Sequence, residues 1–311
     1  DIKDWLHPTI TTDFSIEDLS NTTDKNFITA SYIRNMILAT DGQIMDLIYN
    51  STVTTAKHIQ NITNTSEFLD QVVQAVSDHR YISSDDHYIL MDRGAVITGF
   101  SNRDVGHYLA RSFKCQNNTR SGSIKYQGVV YYDDDTNIEM VAMVPNHVGD
   151  IIDIKPLSNT LVSESLLFRY LNDTRTRGTD IKLPLMTKGF LTIGKDLTLS
   201  KLVQAAYRLR QLGKGQTLEL WYLDDTYENI KTFIETNADP KRTINTPCQI
   251  SSQDIYEWCT NNSIIQAIQT NRFNSSKQEK AAKKQAQVFS DSPQQTLTLT
   301  EPLSIPIMAY N

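Results

Sequence analysis

Apolar residues recur along this chain at two different spacings. From Ser66 to Asp78 they fall at i, i+1, i+4, i+5 and i+8, which is one face of a helix. Tyr88–Met91 and Gly128–Tyr132 are instead short apolar runs that end at acidic residues, as buried strands do. Because such runs alternate with helical patterns over residues 81–236, this region is predicted to be an α/β domain with a mostly parallel sheet flanked by helices.

The same pattern predicts the remaining elements. Ser101, with Asp104 three residues on, has the form of an N-cap, followed by a helix to about Phe113 and a polar loop over Gln116–Gly122. Further strands are predicted at Ile138–Val144, Leu166–Phe168, Gly189–Ile193 and Thr217–Leu223. Further helices are predicted at Phe27–Leu38, at Thr198–Leu212 and from Asp225 onward. Asp133-Asp134-Asp135 is interpreted as the hairpin turn before Ile138–Val144, in preference to a Walker B motif.

Two further segments flank the α/β domain. Residues 1–80 are predicted to be mainly helical or irregular, and residues 237–311 to be a helical extension and tail. Within the extension, Lys277–Gln287 has strong helix formers but almost no apolar face, which predicts a solvated helix, with a nucleic-acid-binding tail as the alternative. Since the chain begins at Asp1 rather than Met, we expect it to be a piece of a larger protein.

Composition narrows the class of protein. Hydrophobic residues make up 39 % and charged residues 21 %, which excludes a wholly disordered chain, and the net charge of −6 excludes a globally basic nucleic-acid-binding protein. The three cysteines form no C-x-x-C pair, so neither a disulfide framework nor a zinc site is expected and a reducing, cytoplasmic compartment fits best. No metal site is predicted. No apolar stretch approaches the roughly 20 residues that span a bilayer, so no membrane segment is expected.

Positive charge is concentrated in one window. Residues 169–216 contain ten basic and three acidic side chains, a net charge of +7 within an acidic protein. A confined basic window of this kind suits an anion such as a phosphate group, although a solvated face crossed by salt bridges would give the same count.

The basic window also contains two motifs. Thr174–Leu183 reads T-R-T-R-G-T-D-I-K-L, and the predicted helix from Leu202 to Gln216 reads L-V-Q-A-A-Y-R-L-R-Q-L-G-K-G-Q. A glycine such as Gly178 lets the backbone approach a phosphate, and Asp180 can fix a nucleotide hydroxyl or a neighbouring arginine. Arginines on the following helix can neutralise charge that develops on a γ-phosphate, an effect worth roughly 10³–10⁵ in rate.

These motifs resemble motifs V and VI of superfamily 2 helicase-type ATPases, and their residue sequence is similar to that of SecA. The stretch Tyr170–Gln216 is also similar to a family of very large proteins labelled ubiquitin thioesterases, which contain D-E-A-H-T-R-G-T-D-L-K-L-P followed by a helix of the type L-V-Q-A-C-M-R-M-R-x-L-G-K-G-Q. Weaker matches extend this resemblance over residues 8–235.

The resemblance implies a RecA-like second lobe that completes an ATP and Mg²⁺ site with a first lobe located upstream. Arg208 and Arg210 are then the candidate catalytic residues, and Arg208 is the preferred γ-phosphate ligand. The candidate nucleotide-binding residues are Arg177, Gly178, Thr179, Asp180, Lys182 and Gln204. The partners it implies are the upstream ATPase lobe, a polypeptide or nucleic-acid track, and ubiquitin.

The chain departs from the family pattern at several positions. Asn172 stands where the family has the first acid of D-E-A-H, and Arg175 stands where it has histidine. Arg208 and Arg210 are two residues apart instead of three, so that Gln211 occupies the usual finger position. No Walker A loop is present in the 311 residues, so the lobe alone is not expected to hydrolyse ATP.

Two other functions remain open on the sequence. The family label implies a ubiquitin-directed cysteine peptidase, for which Cys115, Cys248 and Cys259 are the only thiols, none of them within a recognisable local signature. Cys259, beside Trp258, is predicted to be a buried helix residue. The departures at Asn172 and at the arginines instead favour a degenerate lobe that serves as an interaction scaffold.

Overall fold

The computed structural model describes residues 42–78, 87–119, 126–147, 149, 151–178, 181–237 and 250–291. Eight strands of this part of the chain form one sheet. They are β1 (Thr54–Ile59), β2 (His87–Met91), β3 (Gly128–Tyr132), β4 (Glu139–Met143), β5 (Ile154–Pro156), β6 (Leu167–Leu171), β7 (Thr187–Ile193) and β8 (Thr217–Leu223).

The order of the strands in the sheet is β1-β8-β7-β2-β6-β3-β4-β5. The first six are parallel, β4 pairs antiparallel with β3 as a hairpin, and β5 pairs antiparallel with β4. The predicted α/β class with a mostly parallel sheet is therefore confirmed, and so is the predicted hairpin. The RecA-like assignment remains a prediction.

Helices of the described residues lie on both faces of this sheet. They are α1 (Gly42–Tyr49), α2 (Thr65–Asp78), α3 (Asn102–Thr119), α4 (Asp173–Gly178), α5 (Leu199–Ala206), α6 (Asp224–Asn237) and α7 (Ser252–Asp291). Two short 3₁₀ helices, Leu157–Asn159 and Glu164–Leu166, precede β6.

Two hydrophobic cores result, one on each face of the sheet. Ile89 and Met91 of β2 pack into the core formed with α1, α5, α6 and the start of α7, whereas Tyr88 and Leu90 pack into the core formed with α2 and α3. Successive side chains of a strand point to opposite faces, so a strand covered on both sides has to be apolar throughout. All five residues of β2 are buried, which explains its uninterrupted apolar run.

Most predicted elements are present, and two boundaries are wrong. The Ser101 cap is confirmed, since Asp104 N donates to Ser101 Oγ (3.1 Å) and Ser101 N donates to the Asp104 carboxylate (3.0 Å). However, α3 continues to Thr119, so the first part of the predicted loop at Gln116–Gly122 is helical. A polar amphipathic segment can extend a helix without any change in the hydrophobic pattern.

The second wrong boundary is the end of α5, which lies at Ala206 and not at Leu212. Beyond Ala206 the backbone hydrogen bonds span three residues instead of four. Arg208 N donates to Ala205 O (3.1 Å), and Leu209 N donates to Ala206 O (2.9 Å). Leu209 is nevertheless fully buried. The helical spacing of the buried leucines therefore continues through a series of tight turns. This spacing alone cannot distinguish such turns from an α-helix.

The N-terminal segment contributes a strand that the sequence analysis did not predict. β1 pairs with β8 along its whole length, so part of the segment before residue 80 belongs to the sheet. The preceding helix α1 buries Ile44, Met45 and Ile48 against the same core as α5. The predicted helix at Phe27–Leu38 lies outside the described residues.

The chain divides into two compact units, residues 1–265 and residues 266–311. Helix α7 contributes its first part, including buried Ile255 and Trp258, to the first unit. In the second unit the side chains of residues 271–284 are exposed, which confirms the predicted solvated helix for the part of Lys277–Gln287 up to Lys284. Among the described residues, no helix is both long and apolar enough to cross a membrane.

Candidate functional site

The first motif begins where β6 ends. Asn172 caps α4, because its Oδ1 accepts a hydrogen bond from Arg175 N (3.0 Å). Arg177 and Gly178 are the last residues of α4, so the glycine that was expected to approach a phosphate ends a short helix. Thr179 and Asp180 lie outside the described residues, as does the side chain of Arg177.

A buried ion pair holds the start of this helix. Arg93, in the loop after β2, forms a salt bridge with Asp173, the first residue of α4. The Arg93 side chain is 3 % exposed and that of Asp173 is 30 % exposed, so the contact is largely shielded from water. Asp173 also lies in the first turn of a helix, where a negative charge is favoured.

The neighbouring residue, Asp92, organises the loop after β2. Its carboxylate accepts hydrogen bonds from Thr192 Oγ1 (2.7 Å), Val96 N (2.9 Å) and Ile97 N (3.1 Å). Burial raises the pKa of Asp92 above its usual value, and these three donors oppose the shift. Nothing in the string Asp92-Arg93-Gly94-Ala95 indicates a loop that is held against β7.

Arg175, which replaces the family's histidine, stacks on an aromatic ring. Its guanidinium carbon lies 4.3 Å from the centre of the Tyr132 ring. Burial, followed by the charge and hydrogen bond of Glu139, raises the pKa of Tyr132 to about 12. Arg175 therefore packs at the end of β3 and is partly buried there.

The adjacent acids form a turn and not a Walker B site, as predicted. Asp133 accepts hydrogen bonds from the backbone N (3.1 Å) and hydroxyl (2.7 Å) of Thr136 within the β3–β4 hairpin. Asp134 accepts a hydrogen bond from the backbone N of Asn102 at the start of α3 (2.9 Å).

The second motif forms a turn, residues 207–216, which we call the arginine turn. Arg208 is partly buried, and its Nε is 3.4 Å from Gln204 O, while the exposed Arg210 lies 4.7 Å over the ring of Tyr207. The Gln204 side chain is exposed on α5. Gly213 has φ 76° and therefore supplies a left-handed conformation that other residues rarely adopt.

The arginine turn meets the end of the first motif. Gln216 Nε2 donates to Pro184 O (3.0 Å), while Gln216 Oε1 accepts from Gln211 N (2.9 Å). Lys182, two residues before Pro184, is exposed. In addition, α4 contacts α5. The structure thus brings the Lys182–Pro184 part of the first motif next to the second motif.

The start of the first motif and the arginine turn lie at different ends of the parallel strands. Asn172 and Asp173 follow the carboxyl end of β6, whereas the arginine turn immediately precedes the amino end of β8. Because these strands are parallel, Arg208 and Asn172 lie towards opposite ends of the sheet. Any anion site built on Arg208 therefore involves the Lys182 end of the first motif and not its acidic start.

The described residues offer little support for metal or thiol chemistry. Residues 42–291, outside their undescribed gaps, contain no group of three His, Cys, Asp or Glu side chains arranged to hold a metal ion. Cys259 is fully buried in α7, as predicted, and burial raises the pKa of its thiol. A thiol in that state is a poor nucleophile. The side chains of Cys115 and Cys248 lie outside the described residues.

No protein-family model, curated protein or solved structure matches this chain.

Proposed function

We propose that this chain is the second RecA-like lobe of a superfamily 2 or SecA-like ATPase. In this proposal the arginine turn supplies Arg208, with Arg210 beside it, to an ATP and Mg²⁺ site whose phosphate-binding loop belongs to a first lobe. The polypeptide or nucleic acid on which such an ATPase acts is left open by the residues of this lobe.

The observation that carries the proposal is the hydrogen bond between Gln216 and Pro184. It fixes the end of the R-G-T-D-I-K-L-P string to the turn that contains both arginines. Motifs V and VI act together in the resembled ATPases, and here residues of both strings are in direct contact. Arg210 and Lys182 are exposed there, so a partner's phosphate can reach them.

A second function, that of a degenerate lobe serving as an interaction scaffold, is supported by the carboxyl end of β6. Asn172 caps α4, Asp173 pairs with Arg93, and Arg175 stacks on Tyr132. Three of the four residues that stand in place of the family's D-E-A-H string are therefore used in contacts within the chain. A lobe of this kind would bind a partner without contributing to hydrolysis.

The experiment that separates these functions is a steady-state ATPase assay on this chain combined with the first lobe of its own protein. If Arg208 acts as an arginine finger, Arg208→Ala should lower turnover by roughly 10³-fold or more. Arg111→Ala is the matched control, because Arg111 is an exposed arginine on α3, on the other face of the sheet. Unchanged turnover in Arg208→Ala would exclude the assignment, and complete absence of turnover in the unaltered pair would favour the scaffold.

A further inference from the structure

A cavity of about 420 Å³ lies at the carboxyl ends of β7 and β8. This volume is within the range of small-molecule sites. Gly94 and Gly194 line it, and their backbones are in contact, since a Cβ on Gly194 would lie 2.5 Å from Gly94 O. The cavity is therefore built on the closest approach between the loops that follow β2 and β7.

The topology of the sheet places this cavity at a switch point. Helix α3, which follows β2, packs on one face of the sheet, and α5, which follows the adjacent strand β7, packs on the other. The two connections therefore lead in opposite directions from neighbouring strands. In open α/β sheets, ligands bind in the crevice that such a reversal leaves outside the carboxyl ends of the strands.

One wall of the cavity is held in a fixed conformation. Ala95 has φ 50°, a left-handed conformation that is unfavourable for a residue with a Cβ. The buried carboxylate of Asp92 maintains it by binding the backbone N–H groups of Val96 and Ile97, and Thr192 Oγ1 accepts from Gly94 N (2.8 Å). The loop is thus ordered without any ligand.

The polar wall is formed by the start of α6. Asp224 lies 2.8 Å from His58 Nε2 and accepts a hydrogen bond from Asn61 N (2.9 Å), while Asp225 lies 2.7 Å from Lys195 Nζ. Each carboxylate therefore already has a hydrogen-bonding or ion-pair partner within the chain. Because an ionised carboxylate has about four acceptor sites, both acids retain capacity for hydroxyl donors.

The charges of this wall exclude some ligands and favour others. Two carboxylates and one lysine line the cavity, so a phosphate group would meet a net negative surface. Carboxylates that already have partners gain little from a cation but can still accept hydrogen bonds from adjacent hydroxyl groups. An apolar wall is formed by the partly buried side chains of Ile62, Val96 and Leu223, which suits a flat, weakly polar group.

We propose that this cavity binds a neutral ribonucleoside, whose cis-diol is recognised by Asp224 and Asp225 and whose base packs on the apolar wall. The site is separate from the arginine turn, because α5 runs for eight residues, about 12 Å, between them. The proposal therefore does not depend on the ATPase function.

The test is isothermal titration of the chain with adenosine and uridine, beside 2′-deoxyadenosine, AMP and D-ribose. We expect saturable binding of at least one ribonucleoside. Removal of the 2′-hydroxyl should weaken binding about ten-fold or more, the loss typical for a hydrogen bond to a charged acceptor. AMP should bind more weakly than adenosine, because its phosphate meets the acidic wall.

Asp225→Asn should weaken ribonucleoside binding about ten-fold, whereas Glu228→Gln, the same change on α6 outside the cavity, should leave it unaltered. The Asp225 side chain is 74 % exposed, so its substitution should not disturb folding.

Failure of both ribonucleosides to bind, equal binding of 2′-deoxyadenosine or D-ribose, or normal binding by Asp225→Asn would overturn the proposal. Loss of binding in Arg208→Ala would also overturn it, since the ligand would then occupy the arginine turn.

Discussion

The ion pair between Arg93 and Asp173 should be one of the strongest polar contacts in the domain, and Asp173→Asn tests it. The substitution keeps the size of the side chain but removes the charge opposite a buried guanidinium that is 3 % exposed. Removing one partner of a fully buried pair typically costs 3–5 kcal/mol of unfolding free energy. Asp173 is 30 % exposed, so water screens part of the interaction, and we expect a loss of about 2–3 kcal/mol.

Urea unfolding followed by tryptophan fluorescence provides the measurement, because Trp221 and Trp258 are buried in the two cores. The matched control is Asp153→Asn, which removes an exposed pair with Lys155 (3.6 Å) and should cost less than about 0.5 kcal/mol. The double variant Arg93→Met with Asp173→Asn should lose less than the sum of the single losses, since no charge is left buried alone. A loss in Asp173→Asn no larger than that in Asp153→Asn would refute the reasoning.

Two further predictions concern the close approach of the loops and the alkaline limit of stability. Gly194→Ala should lower the unfolding free energy measured in urea by about 3 kcal/mol, because its Cβ would lie 2.5 Å from the backbone of Gly94. The control Gly99→Ala should cost only about 1 kcal/mol, because Gly99 has open space around it and only its φ of 73° opposes a side chain. Equal losses in the two variants would mean that the loops separate freely. The raised pKa of Tyr132, about 12, means that its contribution to stability is complete below pH 10 and is lost as the pH rises towards 12. Tyr132→Phe should therefore show a shallower fall in unfolding free energy between pH 9 and pH 11.5, and an unchanged slope would contradict this origin.

The sheet was predictable from the sequence because its strands are buried on both faces. A run such as Tyr88–Met91 has no polar position, and helical spacing between such runs leaves parallel pairing as the natural arrangement. β1 was missed because it is an edge strand, with lysine and histidine at its partly buried centre. Its apolar residues are too few to form a pattern, and its place in the sheet depends on pairing with β8, more than 150 residues further along the chain.

The candidate sites were less predictable, because their geometry depends on contacts distant in sequence. Asp92 acts through Thr192, and Gly94 contacts Gly194, each pair about one hundred residues apart. No local spacing contains that information. Gly194 is important because it has no side chain at the point where its backbone meets that of Gly94.

The basic window of residues 169–216 illustrates how a charge count and a charged surface differ. Arg169 is buried against Glu139 and Glu164, and Arg175 is stacked on Tyr132, so neither adds freely to the surface potential. Lys195 is balanced by Asp225 at the carboxyl end of the sheet. The described basic side chains of the window that are exposed on or beside the arginine turn are Lys182, Arg210 and Lys214.

The net charge of +7 over 48 residues thus leaves only a small basic cluster, which lies at the amino end of β8. The acidic cavity lies at the carboxyl end of the same strand. Charged groups act on a ligand only within roughly a Debye length, about 8 Å at physiological salt. Because α5 alone is longer than that distance, the charges at one end of the sheet should have little effect on a ligand at the other end. A phosphate is expected at the arginine turn and a neutral hydroxyl donor at the cavity.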